Sequence, residues 1–159
     1  MAITPDEELE VTIDELDGLA ATASAMADAA SGWVNLVPEV AAGHEPPPRS
    51  IVATVFSARG EAVPHATWSA PEQAGRRTTL GIEHGSGPKA LARLDEVGLG
   101  LRPGWLKVAD HPRRGLVVTA PPDEQTIEAL RWLLEAATEL SVPPLTGSWL
   151  ARVYRPASR

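Results

Sequence analysis

The stretch GIEHGSGPK at residues 81–89 runs from an apolar segment into a glycine loop and then into a proline suited to the first turn of a helix. Backbone N–H groups freed by such a loop, at the positive end of a helix, are a common way to hold a phosphate or carboxylate. A second chemistry-bearing cluster, Asp110, His111, Pro112, Arg113 and Arg114, lies between two apolar runs and reads as a hairpin tip. His84, Gly85, Ser86, Gly87, Lys89, His111, Arg113 and Arg114 are therefore the candidate anion-binding residues. Gly85, Ser86 and Gly87 would supply backbone or hydroxyl donors, and Lys89 with Arg113 and Arg114 the charge. The spacing of a Walker A loop is absent, so the competing reading is structural: glycines that end a strand, a proline that starts a helix and arginines that solvate a hairpin.

Catalysis is less well supported. Ser86 with His84 or His111 as base and Asp110 as orienting acid would resemble a hydrolase triad, but Ser86 is not in a Gly-x-Ser-x-Gly elbow and a serine beside a helix start usually caps it. His44, His65, His84 and His111 fall in no metal-ligand spacing, and a set of His84, His111, Glu83 and Asp110 has no sequence support. With no cysteine in the chain, disulfides and thiolate metal sites are excluded. No catalytic residue, metal or cofactor is assigned, and the balance is against an enzyme.

The 159 residues suit one domain of ordinary size, with 43% hydrophobic and 22% charged residues and no apolar run of membrane-spanning length. An acidic start without an apolar centre is not a signal peptide, and with the missing cysteines it predicts a cytoplasmic protein. The net charge of −7 is uneven: residues 1–50 hold ten acids and one base, residues 51–159 eleven acids and thirteen bases. Such a balance argues against non-specific nucleic-acid binding, which needs a basic face to displace counterions. Twelve arginines against two lysines suggest a bacterial coding sequence rich in G and C.

The elements that would position these clusters follow from periodicity. Thr4, Pro5 and Glu7 predict a helix start, with Thr12 as the alternative, and Leu9, Ile13, Leu16, Ala20, Ala23, Ala27 and Ala30 form a narrow small-residue face, so residues 1–32 read as an acidic N-terminal helix. A short strand at 33–37 precedes a Pro-rich connection at 41–49. Strands at 50–56 and 61–68 read as a hairpin, with Pro64 pushing the second toward a sheet edge or bulge. Then come a strand at 76–83, a helix from Pro88 to Val97 with Leu91, Leu94 and Val97 inward, and strands at 105–109 and 115–119. A helix presenting Ile127, Leu130, Leu134, Ala137 and Leu140 and a closing strand at 148–154 complete the chain. Trp132, beside that stripe, is expected to be partly exposed, and Trp149 to lie at a sheet edge; both are interface candidates.

This order predicts an α+β fold of five to seven largely antiparallel strands against helices. Over residues 76–155 it is the split βαβ, ferredoxin-like order, extended by the N-terminal helix and hairpin. Over residues 5–140, helix, three strands, helix, two strands, helix, the element order is similar to that of type III secretion chaperones. The expected function is a non-catalytic interaction module that binds a protein partner, or a second copy as a homodimer, through a sheet edge or the N-terminal helix. The alternative is a protein or enzyme acting on a small anionic ligand at the 84–89/111–114 edge. Neither nucleic acid nor membrane is expected as a partner.

Overall fold

The computed structural model describes residues 3–47 and 59–156. Among these, ten elements follow in order: β1 Glu7–Val11, α1 Asp17–Ala29, β2 Trp33–Val40, β3 His65–Ser69, β4 Thr78–Glu83, α2 Ala90–Glu96, β5 Leu106–His111, β6 Gly115–Ala120, α3 Thr126–Glu139 and β7 Leu145–Tyr154. The expected strand at 50–56 lies outside the described residues. The seven strands form one sheet in the order β1-β7-β2-β3-β4-β6-β5, every pair antiparallel. The class is α+β. No helix among the described residues is long and apolar enough to cross a membrane.

One face of the sheet alternates into the core. Val34, Leu36, Ala66, Trp68, Leu80, Ile82, Leu116, Val118, Ala151 and Val153 are buried, while their neighbours along each strand are mostly part-exposed. Helix α3 packs on this face against β3, β4 and α1. Its buried residues, Ala129, Leu130, Trp132, Leu133, Leu134, Ala136 and Ala137, extend well beyond the expected stripe, as a helix enclosed on several sides requires.

The strand order departs from a plain split βαβ. There the last strand would lie beside the first, β7 beside β4; here β2 and β3 stand between them. β7 instead pairs with β2 from Trp33 to Val40 and with β1 on its other side. A helix-first order is also not what the chain adopts, because residues 7–11 are a strand and α1 begins only at Asp17. Leu9 and Val11 face Ala151 and Trp149 across the β1–β7 ladder, whereas Glu8 and Glu10 point outward. Leu9 and Ile13 satisfy a period of four as well as a period of two, so pairing with β7 decided between them. Pro64 does not push β3 to an edge: it lies just before the strand, which is central, and the proline inside a central strand is Pro38, at a register shift in β2.

Two tryptophans also differ from expectation. Trp132 is 5% exposed because the chain after α2 folds over α3. Its Nε1 donates to the Leu99 carbonyl at 3.0 Å, and its ring meets Trp105 edge-on at 5.1 Å between centroids. Trp149 is buried because β7 is an interior strand. Neither is a surface residue in this fold. Val97, expected inward, is exposed past the end of α2. Trp132→Ala should therefore cost about 3–5 kcal/mol in urea unfolding, the range for truncating a buried aromatic, and not the roughly 0.5 kcal/mol or less of a surface change.

Candidate functional site

β4 and β5 are both antiparallel to β6, so they run the same way and their C-terminal ends share one end of the sheet. The loop at 84–89 and the hairpin tip at 111–114 meet there, as expected, and residues 59–61 join them. The Gly60 amide donates to the Pro112 carbonyl at 3.0 Å. A Cβ on Gly60 would collide with the His84 carbonyl, and one on Gly85 would stand 2.8 Å from the Glu61 carbonyl oxygen, so backbone meets backbone and only glycine fits.

The amides at the start of α2, together with Ser86 and His111 of the expected set, are engaged within the chain. The Ala90 and Leu91 amides at the start of α2 donate to the Asp110 carboxylate at 3.3 and 3.0 Å. This carboxylate from β5 stands where an external anion at the helix start would sit. Arg93 turns back over the loop, its Nε donating to Pro88 O at 3.2 Å and its Nη2 to Gly87 O at 3.1 Å and Ser86 Oγ at 3.0 Å. His111 Nδ1 accepts the Arg113 and Arg114 amides, each at 3.1 Å, which closes the hairpin tip on itself. Lys89, with φ +58°, precedes α2 and is exposed, as are the Arg113 and Arg114 side chains. Asp110 and Arg93 are the two residues whose roles the sequence did not disclose. A cap donated from a different strand has no local signature.

His84 is fully buried. Its Nδ1 lies 2.9 Å from Ser86 Oγ and 3.3 Å from the Ser86 amide, whose N–H can only donate. Nδ1 is thereby the acceptor and the proton of the neutral ring sits on Nε2, which is buried with no hydrogen-bond partner among the described residues. Burial chiefly, and then the Arg93 charge, lower the His84 pKa below its ordinary 6.5, opposed by Asp110. This Ser–His contact lacks a carboxylate on the second ring nitrogen. No group of three or more His, Cys, Asp or Glu residues able to hold a metal occurs among the described residues.

A second feature adjoins this corner, sharing Lys89 and Asp110 with it. β5 is an edge strand whose residues 106–109 are all exposed, Leu106 at 56% and Val108 at 61%, and its register with β6 shifts between Lys107 and Ala109. Between β5 and α2 runs an open groove of about 540 Å³, with Leu91, Ala92, Leu101, Lys89, Lys107, Asp95 and Asp110 among its lining. The apolar residues of β5 were legible as a strand; that no strand among the described residues pairs its outer side was not.

Two outcomes are expected of the corner. Asp110→Ala should lower stability by about 1–2 kcal/mol, the scale of losing a helix cap, measured by chemical denaturation. Protonation should act through His84. Its native pKa is depressed, so below about 6.5 the unfolded chain takes up a proton that the native chain refuses, and stability falls as pH drops from 6.5 towards the native value. Urea unfolding of wild type and His84→Gln at pH about 7.5 and 5.5 should show a larger acid loss for wild type; equal losses would remove His84 from the linkage.

No protein-family model, no curated protein and no solved structure matches this chain. The functional reading rests on the geometry of the α2–β5 corner and the β5 edge.

Proposed function

We propose that this chain is a non-catalytic protein-interaction module that docks its partner on the β5 edge of the sheet. The observation that carries the reading is the run of exposed residues Leu106 to Ala109 on an edge that no strand among the described residues pairs, beside an open groove. Edge strands present unpaired backbone donors and acceptors, and an apolar one is a docking template. The opposite edge is guarded: Glu8 and Glu10 project from β1, and Glu8 and Glu7 pair with Arg152 and Arg155 at 3.4 and 3.0 Å. The N-terminal helix, the other surface considered, turns Leu19, Ala20, Ala23 and Met26 into the core.

The alternative, a small anionic ligand at residues 84–89 and 111–114, draws support from the convergence of the two loops. It is weakened because the α2 amides already serve Asp110. Titration with inorganic phosphate, followed by amide shifts at Gly87 and Arg114, tests it directly.

The docking reading is tested by Leu106→Asp together with Val108→Asp. Both residues are exposed, so stability should change by no more than about 0.5 kcal/mol for each substitution. A partner that co-purifies with the wild-type chain, identified by mass spectrometry and rebound in purified form, should bind the double variant at least about tenfold more weakly. Unchanged binding of that purified partner would exclude the β5 edge.

A further inference from the structure

The docking reading leaves open what kind of chain lies on β5. Both lysines of the whole protein, Lys89 and Lys107, stand on the α2–β5 groove. The groove's lining carries two bases, Lys89 and Lys107, and two acids, Asp95 and Asp110. Asp110 has its carboxylate bound by the α2 amides. Asp95 is the other carboxylate on the groove. Leu91 and Leu101, both part-exposed, line the same groove.

Two occupants are disfavoured by the same charges. Isologous pairing of β5 with β5 of a second copy would bring one Lys107 edge against another, and like charges facing across a ladder destabilise it. Head-to-tail pairing with β1 of a second copy would use carboxylates of which Glu7 and Glu8 already hold Arg155 and Arg152. It would also leave every added copy with a further open edge.

We infer that the β5 edge receives an extended acidic segment of a different protein, added as an eighth strand. Alternate side chains of such a strand, its carboxylates, would point into the groove beside Lys89 and Lys107, and its apolar side chains would lie on the other face of the sheet, the face of Leu106. Its backbone would take up the outward N–H and C=O groups of β5. The charges set which strand is accepted, and the ladder supplies the adhesion. This inference rests on the docking reading but fails separately from it.

The probes are capped eight-residue peptides that alternate glutamate and valine, or lysine and valine, and a Glu/Val peptide with alternate backbone nitrogens methylated. Against the full chain, the Glu/Val peptide should bind and slow amide hydrogen exchange at residues 106–111. The Lys/Val peptide should bind at least about tenfold more weakly, and N-methylation should abolish binding. Lys89→Glu with Lys107→Glu should reverse the preference between the two charges. Equal binding of the acidic and basic peptides, with protection at β5, would overturn the acidic partner and keep the edge. Acidic binding without β5 protection, or no binding by either peptide, would overturn strand addition, with the edge still judged by the purified partner and the Leu106/Val108 variant. Concentration-dependent self-association of the full chain that protects β5 would overturn it in favour of a second copy.

Discussion

The burial of α3 against the inner face of the sheet is the contact on which the other parts depend. Seven of its fourteen residues are buried, and it touches α1, β3 and β4. A helix so enclosed cannot shift along its axis without opening voids on several sides, because interiors are packed at crystal-like density. It therefore fixes the centre of the sheet and the place of α1. It also sets the path after α2, through the Trp132 bond to Leu99 and the Trp105 ring. That path delivers Trp105 to the core and leaves Leu106, the next residue, on the outer edge.

From this follows the construction of the corner. α2 is a short helix of seven residues, with little stability of its own. Its first amides are satisfied by Asp110, and its Arg93 satisfies carbonyls of the preceding loop. The helix is thus tied at its start to β5 and to the end of β4. Those bonds tie the two walls of the α2–β5 groove together at one end, and Ala90 and Leu94 anchor α2 in the core. His84 lies under the same loop, and its burial favours the neutral ring.

The two edges of the sheet carry opposite solutions to the same problem. An unpaired strand invites another, and charges placed along it discourage this. β1 carries Glu10, which projects outward, and Glu7 and Glu8, held by Arg155 and Arg152, whereas β5 carries leucine and valine exposed beside a single lysine. A register shift within β5 limits but does not remove its capacity to pair. The asymmetry is what separates a docking edge from a guarded one.

Local chemistry alone determined much of the chain. Turn and cap residues together with apolar period placed β2, β4, α2, β5, β6, α3 and β7 near their observed positions, since each is bounded by glycine or proline and has a single period. That the loops at 84–89 and 111–114 share one end of the sheet followed from the crossover rule for a strand–helix–strand unit, and the pairing of β4 and β5 with β6 agrees with it. Where two periods coincided, at Leu9 and Ile13, sequence could not choose, and the ladder with β7 made residues 7–11 a strand. The order of strands, the burial of Trp132 and Trp149, the Asp110 bonds to α2 and the openness of β5 were decided only by tertiary structure. Each depends on which distant segment arrives alongside, and no residue records that in its own neighbourhood.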